Sequence, residues 1–193
     1  AAANEIGANS LLVRVGALYH DIGKLKQPKY FSENQIAPDS PHDSLTPKQS
    51  AKIIIDHVLD GILIAQKNKL PDRVIDFIRT HHGTSSVYYF YKKQLEFDPE
   101  GTNIEDFQYP GPRPFSKETA ILMMADAVEA ASKSLKAPDI GQLDLFIEKI
   151  ISGKMEEGQF NASNITLAEI ETVKKVLLRK LINVYQLRIE YPE

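Results

Sequence analysis

The chain has 193 residues, enough for one domain with a substantial core or for a domain with an appendage. It contains no Cys, which excludes disulfides, zinc-thiolate sites and Cys nucleophiles, so any metal must be held by His and carboxylate. The formal net charge of -3 excludes a surface that binds polyanions as a whole, so an anionic ligand needs local cations.

Residues 1–6 read as the last turns of a helix, with Gly7 as its stop. They carry neither the basic start nor the long apolar core of a signal peptide, and the expectation is a fragment of something longer. Asn9 or Ser10 caps a helix with Leu11, Leu12, Val15, Leu18 and Tyr19 on one side, and Gly23 is expected to end it soon after His20-Asp21. Residues 27–45, with Pro28, Pro38 and Pro41, read as an ordered loop. Thr46-Pro47 starts a helix carrying Ile53, Ile54, His57 and Val58, and Gly61 is read as a break or bend.

Leu70-Pro71-Asp72 restarts a helix that reaches His81-His82, with Gly83 as the stop. Residues 84–96 are expected as an aromatic-rich helix, and 97–115 as a loop with room for a short hairpin. Ser116 opens a small-residue helix through Ala131. Residues 140–152 form another helix ended by Gly153, and Thr166 with Glu169 makes a capping box for a last helix over roughly 167–187. The pattern is all-α, with no convincing strand and no internal repeat. No stretch approaches the roughly 18–20 apolar residues of a membrane span.

Five histidines stand in the chain, at positions 20, 42, 57, 81 and 82. His20 adjoins Asp21, His81 adjoins His82, and Asp126 sits inside the apolar run Ile121–Ala127, where a carboxylate is costly unless paired or coordinated. Adjacent residues of a regular helix point about 100° apart, but at a helix end the geometry loosens. A carboxylate can also bridge two ions while its neighbour binds one. Imidazole with carboxylate suits Mn, Fe and Zn, and two ions about 3.5–4 Å apart can hold a hydroxide and clamp a phosphoryl group. Taken singly, His57 reads as a core histidine, His81-His82 as an ordinary helix end and Asp126 as a salt-bridge partner. Taken in order, they read as a metal site.

The segment Gly16–Lys24, with His20-Asp21 inside it, resembles the signature of the HD phosphohydrolase superfamily, whose ordered set H…HD…H…HH…D holds two metals. His57 matches the single His, His81 and His82 the His pair, and Asp126 the final Asp. The resemblance implies a compact all-α HD-domain bundle with a central dinuclear site. In it Asp21 bridges, His20 and Asp126 serve one ion, and His57, His81 and His82 serve the other. It also implies an earlier His upstream of His20, and none is present in this sequence.

Pro41-His42-Asp43, Ile53–Gly61, Leu70-Pro71, His81–Thr84, Tyr109–Pro112, Ser116–Glu118 and Ala125–Ala130 narrow the resemblance. They are similar to the cytoplasmic domain of the seven-transmembrane HD (PgpH-type) cyclic-di-AMP phosphodiesterases. That implies opening of cyclic di-AMP to pApA by a metal-bridging hydroxide, with two divalent ions (Mn or Fe first; Zn, Ni or Mg as alternatives). Asp21 and Lys24 are the expected catalytic residues. Lys24, His42, Thr84, Arg113 and Lys117 are the expected substrate contacts. Each of these five also has a plainer reading as a solvated or loop-fixing residue.

The expected organisation is one HD domain over 1–193, with a metal-binding core at 1–139 and a helical extension at 140–193 packed on it. The expected partner is a cyclic dinucleotide or other small nucleotide, with no DNA or RNA. The fragment itself is expected to make no membrane contact and to be the cytoplasmic part of a membrane-anchored parent. An HD enzyme for another nucleotide and a catalytically impaired nucleotide-binding module remain as alternatives. Gly83-Thr84-Ser85 stands where an HD-GYP enzyme would carry Gly-Tyr-Pro.

Overall fold

Side-chain caps set most helix starts in this chain. In the computed structural model, which describes residues 1–34 and 40–185, the α-helices are α1 (Ala2–Glu5), α2 (Ser10–Tyr19), α3 (Pro47–Lys67), α4 (Asp72–Thr80), α5 (Tyr88–Phe97), α6 (Lys117–Ser132), α7 (Ile140–Glu156) and α8 (Leu167–Val184). Reciprocal capping boxes open α3 (Thr46 and Gln49), α6 (Ser116 and Thr119), α7 (Asp139 and Gln142) and α8 (Thr166 and Glu169). Each satisfies backbone N–H groups that a helix start leaves without an intrahelical partner. Asn9 caps α2 by accepting from the Leu12 amide at 2.9 Å. Pro38, and the stretch beyond 185 into which the last helix was expected to run, lie outside the described residues.

Contacts divide the chain into two units. The first comprises Ala1–Arg14 with Pro114–Glu193, and the second Val15–Arg113, so the division falls inside α2. In the first unit α1, α6, α7 and α8 share an apolar core that includes Met124, Leu143, Ile147, Ile151 and Val173. A buried lysine, Lys174, is held by Glu148 at 2.8 Å and Glu171 at 2.7 Å. The α7 helix runs three residues past Gly153, where its end was expected, because that glycine keeps helical backbone and the positive-φ stop comes at Gly158.

In the second unit α3 packs against α4, α5 and a 3-10 turn at Ile22–Lys26. Two glycines were read as breakers and are contact points instead. The α2 helix ends at Tyr19, before His20, and Gly23 lies in the 3-10 turn. A Cβ on Gly23 would overlap the His57 carbonyl oxygen. Gly61 sits inside an unbroken α3, where a Cβ would meet Ile78 Cγ2 at 2.8 Å and Gly23 N at 3.2 Å. The backbone of the turn therefore lies directly on α3, which carries Asp21 to His57.

The aromatic segment also differs from expectation. The helix begins at Tyr88, because residues 85–87 pair with 107–109: Val87 N donates to Phe107 O (2.7 Å) and Tyr109 N to Ser85 O (2.9 Å). These bonds flank an isolated antiparallel bridge between Ser86 and Gln108, which takes the place of a hairpin within 97–115. Among the described residues there is no strand, and no helix is long and apolar enough to cross a membrane.

Candidate metal centre

Three histidines are oriented by the same local device. His20 Nδ1 lies 3.0 Å from Ala17 O, His57 Nδ1 2.5 Å from Ile54 O, and His81 Nδ1 2.8 Å from Ile78 O. A carbonyl can only accept, so Nδ1 carries the proton and Nε2 of the neutral ring presents a lone pair. Each acceptor lies three residues back: Ala17 and Ile78 near the ends of α2 and α4, and Ile54 in the middle of α3.

The three Nε2 atoms converge on Asp21. His57 and His81 Nε2 lie 3.4 and 3.6 Å from Asp21 Oδ1, and His20 Nε2 lies 3.3 Å from Oδ2. His57 Nε2 and His81 Nε2 are 3.2 Å apart. Lone pairs and a carboxylate so placed repel one another unless a cation lies among them. Asp21 Oδ1 is buried and has no hydrogen-bond partner among the described residues, which is costly for an uncoordinated carboxylate oxygen. Ligands about 2.1 Å from an ion stand roughly 3.0–3.4 Å from each other in octahedral or tetrahedral shells, close to these separations. The residues present therefore fit a divalent ion. Asp21, His57, His81 and His82 each offer a donor within 4.8 Å of all the others.

His82 leaves the helix after His81 and turns at Gly83, whose φ is +53°. Its ring stacks on Tyr109 with centroids 4.2 Å apart and planes 22° apart. Burial first, then the neighbouring His81 and His57, hold its pKa well below the ordinary imidazole value, so it stays neutral as a ligand must.

Lys24 bridges two carboxylates: its Nζ is 2.8 Å from Asp21 Oδ2 and 2.5 Å from Glu33 Oε1, and it lies 5.2 Å from the Phe31 ring centroid. Burial disfavours its charge, but Asp21 and then Glu33 prevail and raise its pKa. Burial likewise raises Glu33, and Lys24 outweighs it to lower the carboxyl. Glu33 and Tyr109 are the neighbours that sequence reasoning missed. Nothing in Ser32-Glu33-Asn34 marks a site residue, whereas Tyr109 stood in a noted motif without a role.

His42, Arg113 and Lys117 each have a local partner. His42 holds the loop through Nε2 and Tyr30 O at 2.8 Å and stands 5.0 Å from the Phe90 ring. Arg113 Nε donates to Thr84 Oγ1 at 3.1 Å, joining two expected substrate contacts just after the His pair. Lys117, in the other unit, pairs with Glu169. Asp126 is half-buried on α6 of that same unit. Tyr91 packs on Phe107, while Tyr88 and Tyr89 are exposed.

Comparison with known proteins agrees with this chemistry. The HD domain family model matches residues 1–131. The chain is 46% identical over 193 residues to the cyclic-di-AMP phosphodiesterase PgpH of Bacillus subtilis (strain 168). It is 45% identical, over the same length, to PgpH of Listeria monocytogenes serotype 1/2a (strain 10403S). Both matches cover 100% of this chain and 27% of the relative, so the chain spans about a quarter of their length. The crystal structure of the L. monocytogenes phosphodiesterase PgpH HD domain in complex with cyclic-di-AMP matches with a TM-score of 0.92 and 44% identity, covering 95% of this chain and 86% of that one. A second crystal structure of that HD domain matches with a TM-score of 0.89 and 43% identity, with the same coverage.

Proposed function

The chain belongs to the HD domain family, and from that premise we propose that it is a metal-dependent phosphodiesterase that opens a cyclic dinucleotide, cyclic di-AMP, to linear pApA. The observation that favours hydrolysis is the convergence of three Nε2 lone pairs on a buried carboxylate beside a charged lysine. The choice of cyclic di-AMP rests on the 44% identical HD domain that was crystallised with that nucleotide.

Family membership carries divalent-metal binding with it, and our finer reading is two ions, Mn or Fe. Such ions, when bound, lower the pKa of water and neutralise charge on a phosphoryl group. Asp21 suits a bridging role because its oxygens face different partners. Oδ1 faces His57 and His81, while Oδ2 faces His20 and Lys24. His82 completes the first group. Asp126 is proposed as the partner of His20 on the residue order of the family signature, which the matched stretch 1–131 includes.

Lys24 has three N–H donors and gives two of them to Asp21 and Glu33. The third donates to a non-bridging phosphate oxygen and stabilises the charge that grows there. Arg113, braced on Thr84, is read as a contact for the second phosphate. His42 is read as a substrate contact at the loop it fixes, and Lys117 as a further phosphate contact in competition with Glu169. By the same resemblance we read the chain as the cytoplasmic part of a membrane-anchored parent.

The test is chromatography of cyclic di-AMP incubated with the chain and Mn2+. Accumulation of pApA is expected. Metal uptake with cyclic di-AMP intact, but another nucleotide cleaved from a panel, would overturn the substrate assignment.

A further inference from the structure

Lys24 is held from three sides, and two of them come from one short segment, Phe31–Glu33. The Phe31 ring is buried and meets the ring of His57 edge-on at 5.6 Å, which ties the segment to the site. Its centroid lies 5.2 Å from Lys24 Nζ. Glu33 Oε1 accepts from the same Nζ at 2.5 Å, and Ser32 Oγ donates to its other oxygen, Oε2, at 3.4 Å. The third side is Asp21 Oδ2, at 2.8 Å. The two carboxylates are not equivalent partners. His20 Nε2 stands 3.3 Å from the same Asp21 oxygen, and in the metal-binding reading that oxygen also serves an ion. Lone-pair density given to an ion is lost to the ammonium, and a dication at Asp21 repels the lysine. Glu33 is not among the metal-ligand candidates of the described residues, so its charge stays with Lys24.

We propose that Glu33 is a positioning residue for Lys24, the counter-anion that keeps its ammonium facing the site when Asp21 is committed to metal. The role rests on the reading of Lys24 as a phosphate donor. A lysine carries a strongly hydrated head on a flexible four-carbon stem. Held by Asp21 alone, it turns toward water once that partner is taken. Held also by Glu33, it has two of its three N–H groups fixed, and the tetrahedral ammonium then fixes the direction of the third. Phe31 packs beneath the head and keeps the carboxylate-bearing loop against His57.

Two measurements test this. Lysine acylation by an N-hydroxysuccinimide ester, read by peptide mass spectrometry with and without Mn2+, reports the ammonium itself. Lys26 is the internal reference, since its side chain is 61% exposed against 21% for Lys24. Native Lys24 is expected to react more slowly than Lys26 in both conditions. In Glu33→Gln, which keeps the shape and removes the charge, Lys24 is expected to approach the Lys26 rate when Mn2+ is added. Equal protection of Lys24 in Glu33→Gln and native protein overturns the proposal. Hydrolysis of cyclic di-AMP is then compared in the native chain, Lys24→Ala, Glu33→Gln, Glu33→Asp and Lys24→Ala/Glu33→Gln. Glu33→Gln is expected to lower kcat about 10-fold at native Mn2+ content, because a displaced donor costs less than a missing one. Glu33→Asp keeps the charge and is expected to recover most of that loss. The double variant is expected to match Lys24→Ala within about 2-fold. A double variant showing the product of both losses means that Glu33 acts without Lys24, and overturns its positioning role. A native chain that binds Mn2+ but leaves cyclic di-AMP intact overturns the functional reading, while the acylation rates still decide whether Glu33 holds Lys24.

Discussion

Replacing Gly23 by Ala tests whether backbone contact between the Ile22–Lys26 turn and α3 builds the centre. A Cβ at Gly23 would overlap the carbonyl oxygen of His57, and behind it stands the amide of Gly61 at 2.5 Å, so the obstacle is backbone and not a side chain that can turn away. Overpacking costs about 1–3 kcal/mol, and this case belongs at the upper end. For a chain of this size about 3 kcal/mol lowers Tm by roughly 6–12 °C. Separation of the turn from α3 also draws Asp21 away from His57, now 3.4 Å apart. Metal sites tolerate only about 0.5 Å of misplacement, so Mn2+ affinity falls as well. Gly153→Ala is the control: nothing lies within 4 Å of its Cβ, and the exchange inside α7 is expected to stabilise by about 0.5–1 kcal/mol. Thermal unfolding and calorimetry read both variants. A Gly23→Ala protein with native Tm and native Mn2+ affinity would refute the account of the turn.

Further outcomes follow from the same geometry. His57→Ala and His81→Ala each remove a convergent Nε2, so metal content by elemental analysis is expected to fall sharply, and native content in either would remove the site. Lys24→Ala is expected to lower kcat by about 100-fold with little change in metal content, in line with loss of one charge-stabilising donor. Glu33→Gln is expected to have a smaller effect of the same sign, checked by steady-state kinetics. Glu169 is pulled down to about 2 by Lys117 and by its cap bonds to Thr166, from an ordinary value of 4.5. A carboxyl lowered on folding adds stability above its unfolded pKa and loses it as pH falls toward the folded one. Lys117→Met should therefore flatten the loss of stability between about pH 5 and 2, as read by urea unfolding across that range.

Much of this fold was legible because its signals are local. Thr46-Pro47, Ser116 and Thr166 with Glu169 each name a helix start through a bond spanning three residues, and all stand where expected. Gly83 as the stop after His81-His82 is of the same kind. Gly153 simply continues α7 with open space around it, whereas Gly23 and Gly61 were misread because glycine has two uses, to end a helix or to let another backbone approach. Only the partner, distant in sequence, decides which applies. Gly23 and Gly61 form one contact, and neither segment mentions the other. The pairing for which 97–115 had room forms elsewhere for a related reason, between 85–87 and 107–109 across α5.

The site divides along the same line. Metal-ligand residue types carry their chemistry in their names, so His20, Asp21, His57, His81 and His82 could be chosen from order alone. What orients them could not. Three of the histidines take their orientation from a carbonyl three residues back, which any helical sequence supplies and no residue type announces. Asp21 receives Lys24 from three residues on; the sequence marked Lys24 for a phosphate, and its pairing with Asp21 emerges only in the fold. Glu33 and Tyr109 reach the site through loop geometry that depends on Phe31 burying against His57 and on the Ser86–Gln108 bridge. A reading by residue type finds the groups that bind. The groups that hold them still are visible only once the chain has folded, and it is among these that substitutions should separate metal affinity from stability.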